Sequence, residues 1–261
     1  MIGVRAFIQP LIRSGLFFTC LSAFTAASIA GELTATELIK AQDDLLRGDT
    51  VHGSYVMTVV TPGWKRSLEL DVWGQGRDKM FIRILSPAKE KGIGTLRIDS
   101  NMWNYMPKIE RTIKIPPSMM LQPWMGSDFS NDDLVKESSI VNDYTHTFIE
   151  ELVLDGHPAR RIRLDPKPGA AVTWGKLIFL VRTDGHIPLR EEYYSEKGQL
   201  IKALDFSKPR QMNDRVIPTL WTMVNKKKDG HKTIIEIVDA VYNEPVDENI
   251  FTLSNLSRVW E

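Results

Sequence analysis

Beyond residue 50 the chain alternates apolar and polar positions. Tyr55, Met57 and Val59 share one face of an extended segment. Leu68, Leu70 and Val72 alternate with Glu69 and Asp71, and Met80, Ile82 and Ile84 alternate around Phe81 and Arg83. A period of two marks a half-buried strand, because successive side chains leave opposite faces. Turn residues separate these runs at Thr61-Pro62-Gly63, Gly74-Gln75-Gly76 and Ser86-Pro87. The pattern resumes over 96–98, 102–106 and 112–115. It returns after a break over 144–154, 158–164, 174–183, 188–195, 199–206, 216–225 and 231–241. Turns stand between several of these at Asp155-Gly156, Thr183-Asp184-Gly185, Glu196-Lys197-Gly198 and Asp229-Gly230. Strands at such spacing with such turns predict an antiparallel, mainly β protein of about eleven to thirteen strands. One strongly curved sheet is the economical arrangement, with a concave face that must be covered or left open to a ligand.

Three segments break the alternation. Leu38, Ile39, Ala41, Leu45 and Leu46 form an approximate helical stripe, with Thr34 or Thr36 as cap and Arg47-Gly48 as end. From Thr34, Glu37 has the capping-box spacing. In the middle, Pro116-Pro117-Ser118-Met119-Met120-Leu121-Gln122-Pro123-Trp124-Met125-Gly126 predicts one or two helical turns, and Ser130-Asn131-Asp132-Asp133-Leu134 begins another short helix. Residues 245–251 predict a last helical turn.

The middle insertion carries Met119, Met120, Leu121, Trp124, Met125 and Phe129. A short segment cannot bury six large apolar groups against itself, so it must lie on the sheet's concave face. Methionine suits an adaptable wall, being unbranched and polarizable. On pattern alone two readings stand level: a movable lid over a lipid-sized cavity, or a helix plugging the barrel end as ordinary core.

The first thirty residues set the compartment. Arg5 and Arg13 precede an apolar run from Leu16 to Phe24, which closes on Ala26-Ala27-Ser28-Ile29-Ala30. Ser28 and Ala30 fit an A-x-A-like site, so residues 1–30 read as a cleavable signal peptide cut before Gly31. The apolar run of about ten residues falls short of the roughly twenty a membrane span needs. The expected mature domain is 31–261, and its expected location is the periplasm. Cys20, the only cysteine, follows Phe17-Phe18-Thr19 and lacks the context of a lipidation site, so it reads as an apolar residue of the signal. The mature chain then has no disulfide and no thiolate chemistry, and a core of about 230 residues must hold itself.

Charge adds little at this level. The whole chain balances 33 basic against 33 acidic residues, and removing Arg5 and Arg13 leaves a formal net of −2. That balance makes no electrostatic case for nucleic acid or an acidic membrane surface. The one basic run, Lys226-Lys227-Lys228 before Asp229-Gly230, reads as a solvated hairpin end, with membrane contact as the lesser alternative.

Catalytic patterns are sparse. His52, His146, His157, His186 and His231 are dispersed without metal-pair spacing. No G-x-S-x-G occurs, and Gly92-Ile93-Gly94 lacks the third glycine of a dinucleotide loop. Glu150-Glu151 and Glu191-Glu192 are adjacent strand residues, which point to opposite faces. No catalytic residue, metal or cofactor is expected.

The central block carries a resemblance. Gly94-Thr95-Leu96-Arg97-Ile98, Met102-Trp103-Asn104-Tyr105-Met106-Pro107, Arg111-Thr112-Ile113-Lys114-Ile115 and the run Trp124 to Leu134 with its Gly126-Ser127-Asp128-Phe129 resemble the outer-membrane lipoprotein-sorting proteins related to LolA. Strand order and length are similar over essentially the whole mature chain. The resemblance implies an open, incomplete antiparallel β-barrel of about eleven strands, with short helices as a lid over a hydrophobic cavity. It implies a periplasmic carrier of lipid or lipoprotein acyl chains, with an inner-membrane RND-type or ABC exporter as donor, an outer-membrane acceptor and no nucleic-acid partner. It favours the lid reading of the insertion. It also implies an arginine that latches the lid, with Arg83, Arg97 and Arg111 as candidates.

The expected lipid-contacting residues are Tyr55, Met57, Leu68, Leu70, Met80, Ile82, Trp103, Tyr105, Met119, Met120, Trp124 and Phe129. A one-residue slip would exchange the faces of any strand among them. Two other classes stay open: a non-transporting periplasmic binding or sensor module with a related half-barrel, and an envelope hydrolase whose acids or histidine converge in the cavity.

Overall fold

The computed structural model describes residues 32–136, 140–170 and 172–258. The expected export signal, its cut before Gly31 and Cys20 lie outside the described residues. All elements below belong to one unit, Leu33–Glu261.

Helix α1 (Ala35–Arg47) begins as its sequence requires. Thr34 caps it, its hydroxyl accepting from the Glu37 amide while the Glu37 side chain accepts from the Thr34 amide; Gly48 ends it at φ 62. Six strands follow: β1 (Thr50–Val60), β2 (Lys65–Gln75), β3 (Lys79–Ser86), β4 (Gly94–Ile98), β5 (Asn101–Met106) and β6 (Arg111–Lys114). Residues 115–143 form the insertion, with two 3-10 turns (Pro117–Met119 and Trp124–Gly126) and helix α2 (Asn131–Lys136). Seven strands complete the sheet: β7 (Tyr144–Leu154), β8 (His157–Pro166), β9 (Lys176–Arg182), β10 (Pro188–Tyr194), β11 (Leu200–Met212), β12 (Arg215–Asn225) and β13 (Lys232–Tyr242). A 3-10 turn (Glu248–Phe251) and helix α3 (Leu253–Leu256) close the described chain. Among the described residues no helix is long and apolar enough to cross a membrane.

The thirteen strands form one antiparallel sheet in the order β6-β5-β4-β3-β2-β1-β13-β12-β11-β10-β9-β8-β7. The count sits at the top of the range the alternation gives. The chain zigzags outward from β1 to β6, re-enters at the opposite edge with β7, and zigzags back until β13 pairs with β1. Thus β6 and β7 are the two free edges, and the insertion is the connection between them. A segment that joins the edges of a curved sheet must cross its open side. Topology alone therefore places the Met-rich insertion over the concave face.

Both faces of the sheet are covered, by different parts of the chain. On the concave face, Leu38 and Ile39 of α1 pack against Tyr144, Ile162, Leu164, Leu177, Phe179 and Val181. Under the insertion, Met57, Val59, Leu68, Leu70, Ile82, Ile84 and Met102 surround Trp124 and Ile115. On the convex face, Trp73, Phe81, Leu96 and Tyr105 are roofed by Phe251 and Leu256 of the C-terminal segment. This second layer reverses one expectation. Trp103 and Tyr105 do not face the cavity: Met102 and Asn104 do, and the two aromatic residues of β5 lie beneath the C-terminal turns.

Candidate functional site: an apolar cavity under a pinned lid

The space between α1, the insertion and the sheet is a cavity of about 190 Å³. Its wall is drawn from both halves of the sheet. Tyr55, Leu70, Met80, Ile82, Trp124 and Phe129, all anticipated from sequence, line it. Leu177, Phe179, Leu204, Trp221, Met223 and Ile235 supply the other side, and none of them was anticipated. Met57 and Leu68 are fully buried one layer back, packed into the cluster that seats Trp124. Met120 is half-buried against that cluster, whereas Met119 is 45 % exposed and points away from it. So Met57, Leu68, Met119, Met120, Trp103 and Tyr105 are outside the lining: the first two and Met120 support it, Met119 is at the surface, and the two aromatics are on the wrong face.

Polar groups border the cavity too, and the structure pairs them with one another. Glu191, 6 % exposed, accepts from Gln42 Nε2 at 3.1 Å and from the Tyr193 hydroxyl at 2.6 Å. Asp43 on α1 is bound by Arg47 and Arg77. Arg97 donates to the Arg77 carbonyl. Most of these groups have partners, with the buried Gln42 Oε1 left as an open acceptor, so a guest meets mainly apolar surface.

The lid is held by side chains of its own acidic run. The Trp124 indole reaches the floor and donates from Nε1 to Thr95 Oγ1 at 3.1 Å. The Asp128 amide donates to Thr233 Oγ1, whose hydroxyl donates back to Asp128 Oδ2, both at 2.8 Å. Thr173 donates to Asp132 Oδ2 at 2.6 Å. Lys202, buried on β11, forms an ion pair with Asp133 and lies 4.9 Å from the ring centres of both Trp174 and Tyr193. Ser130 starts α2 by accepting from the Asp133 amide and donating to its carboxylate. Thus Asp128, Asp132 and Asp133 tie the segment from β6 to strands on the far half of the sheet. Between Trp124 and Asp128 the backbone turns sharply through Met125 (φ 48) and Gly126 (φ 71), a left-handed pair that glycine accommodates and methionine resists.

A family model described as an "Uncharacterized protein"-like family matches residues 76–258. The chain belongs to that family. None of the curated proteins matches it in sequence. Three solved structures share its architecture. A DUF1329 family protein from Desulfovibrio piger is 22 % identical, with 85 % of this chain and 97 % of that one covered at TM-score 0.77. A domain assigned to outer membrane lipoprotein-sorting proteins from Vibrio parahaemolyticus is 19 % identical, with 86 % and 98 % covered at 0.75. A LolA superfamily protein from Nitrosomonas europaea is 20 % identical, with 85 % and 99 % covered at 0.71. At these identities the likeness concerns the fold, and the fold is LolA-like: a mainly β, open antiparallel half-barrel with short helices.

Within this LolA-like frame the lid's arginine is not one of the three anticipated. Arg66, near the start of β2, donates from Nη2 to the Met125 carbonyl at the lid's sharp turn and lies 3.8 Å from Glu90. Arg83 faces the other way and holds the C-terminal segment, donating to the carbonyls of Gly92 (3.0 Å) and Asn255 (2.9 Å). Burial lowers its guanidinium to about 10. Arg97 holds the β2–β3 turn, and Arg111 is exposed on the edge strand. Sequence reasoning missed Arg66 because its position next to Lys65, at a hairpin end, looks like ordinary solvation.

Proposed function

We propose that this protein is a non-catalytic periplasmic carrier that encloses acyl chains of a lipid or lipoprotein and moves them from an inner-membrane exporter to the outer membrane. The observation that carries the reading is the cavity: an apolar wall built from both halves of the sheet, with most of its polar neighbours paired. Each methylene moved from water to such a site is worth about 0.8 kcal/mol, so an acyl chain resides in the cavity rather than in water. Release then requires the lid to move or a competing apolar site. Beside the buried Trp124 and Phe129, the lid is fastened by discrete polar contacts that a competing partner can replace.

The same pairing supports a non-enzymatic role. Glu191, Asp43, Asp132 and Asp133 border the cavity, yet each carboxylate is engaged with a cation or a hydrogen-bond donor. The expected export signal supplies the compartment. The test is direct: purify the exported protein without detergent, extract it with organic solvent and analyse the extract by mass spectrometry. The reading predicts co-purifying acyl lipid or lipoprotein. Absence of lipid, together with no uptake from added lipid, would remove the basis for it.

A further inference from the structure

A balanced net charge conceals a segregation that only the fold reveals. In the half of the sheet from β6 to β12, the hairpin ends alternate between the two ends of the barrel. The turns β1–β2, β3–β4, β5–β6 and β12–β13 fall at the same end as the lid fastenings at Arg66 and Thr233. They abut one another: a Cβ built on Gly230 would lie 3.0 Å from Pro62, and one on Gly92 would lie 3.6 Å from Pro107. Residues 61–65, 87–92, 107–111 and 226–232 hold nine cations, Lys65, Lys89, Lys91, Lys108, Arg111, Lys226, Lys227, Lys228 and Lys232, against three acids. All nine are exposed. At the opposite end of the same half, with strand starts counted in the same way, residues 48–50, 76–79, 99–101, 213–215 and 243–249 hold seven acids against three cations, Arg77, Lys79 and Arg215.

Two large apolar side chains stand among the cations. Trp64 is 51 % exposed and Ile109 is 58 % exposed, each at the tip of one of these hairpins. An exposed tryptophan beside lysines is the combination that suits a membrane interface, where the ring sits at headgroup level and the cations meet anionic lipids. The groove beside them is lined by Arg66, Lys89, Lys108 and the lid residues Met125 and Gly126.

We propose that this end of the barrel docks on an anionic lipid surface, with Trp64 and Ile109 entering the interface and the surrounding lysines meeting the headgroups. Docking there sets the Met125–Gly126 turn of the lid against the membrane, so that lid opening and lipid contact coincide. The acidic opposite end is repelled, which fixes the orientation. This surface is distinct from the cavity, and its binding does not require that the cavity hold lipid.

The test is sedimentation of the purified, lipid-stripped protein with vesicles of phosphatidylcholine containing phosphatidylglycerol, and with phosphatidylcholine alone. The protein is expected on the anionic vesicles only, and to leave them at high salt. The triple variant Lys226→Gln, Lys227→Gln, Lys228→Gln changes three exposed turn residues, so folding is retained. Each surface cation is worth about 1 kcal/mol near an anionic membrane, so partitioning should fall about a hundredfold. Trp64→Ser should weaken binding to anionic vesicles without altering its salt dependence. Equal binding to both vesicle types, or unchanged binding by the triple variant, overturns the proposal. No binding to any vesicle also overturns it, and would assign the basic end to an acidic protein partner.

Discussion

Trp124 Nε1 and Thr95 Oγ1 are joined by a 3.1 Å hydrogen bond, and the Thr95 hydroxyl in turn donates to Asn104 Oδ1 at 2.8 Å. A hydroxyl accepts and donates at once, so the floor of the half-barrel offers the lid's largest side chain one oriented acceptor. Around that bond Trp124 is 3 % exposed and packed in the cluster of Met57, Leu68 and Ile82.

Trp124→Phe keeps an aromatic ring, removes the donor and leaves part of the indole's buried space empty. The variant should lose about 1 kcal/mol or more of stability in urea unfolding, the hydrogen bond and the lost packing together, and should exchange a bound apolar dye faster than the parent. A variant with unchanged stability and exchange would mean that Trp124 does not fasten the lid.

Lys202 and Asp133 join the lid to β11 in a nearly dry setting, with side chains 5 % and 12 % exposed. Removing one partner leaves the other charge buried and costs about 3–5 kcal/mol. Lys202→Met should therefore lower the urea midpoint strongly. The double variant Lys202→Met, Asp133→Leu should recover part of that loss. Additive effects of the two single substitutions would show that the pair is not coupled.

Tyr105 separates the two faces of the sheet. It is buried under Phe251 and Leu256, away from the cavity. Tyr105→Ala should cost about 3 kcal/mol or more, as for other large aromatic truncations, yet leave acyl-probe affinity unchanged in protein that remains folded. A specific loss of probe binding without loss of stability would put Tyr105 in the cavity instead.

His146 on β7 links that strand to α1 and to the end of the insertion. Its Nε2 donates to the Ile140 carbonyl at 3.0 Å, and its Nδ1 then accepts from the Thr36 hydroxyl at 3.1 Å. Burial lowers its pKa below the usual 6.5, opposed by the Ile140 carbonyl and aided by Lys167. A histidine whose pKa is lowered on folding binds more protons when unfolded, so stability rises with pH there. The contribution is full above about pH 6.5 and is lost as pH falls through the lowered value. His146→Gln should flatten the stability profile just below pH 6.5, measured as urea midpoint against pH. An unchanged slope in that window would exclude His146 as its source.

Period-two alternation located all thirteen strands, because most have one face more buried than the other and are bounded by turn residues; β6, exposed throughout, was found by its position between turns. It also placed Leu70, Met80 and Ile82 correctly on the cavity wall. It failed at β5, where Trp103 and Tyr105 drew the assignment by their bulk. Their true cover, Phe251 and Leu256, comes from a segment some 150 positions away in the chain, and nothing local announces which face it will choose. The far wall was missed for a different reason. Leu177, Phe179 and Leu204 alternate as clearly as Leu68 and Leu70, but only the return of β13 to β1 shows that the two halves enclose one space. The acids of the lid were visible as a motif and mute as chemistry, since Thr173, Lys202 and Thr233 give no sign in sequence of being their partners. Charge segregation is likewise a property of hairpin order, invisible in a balanced total.

Titration of the lipid-stripped protein with a fluorescent long-chain acyl probe tests the cavity most directly, with Ile82→Trp on β3 and Ile235→Trp on β13 as two variants that fill the space. Saturable binding by the parent, with affinity lowered about tenfold or more in each folded variant, is the predicted result. Absence of saturable binding by the parent, or affinity unchanged from the parent's in both filled variants, would contradict the carrier account.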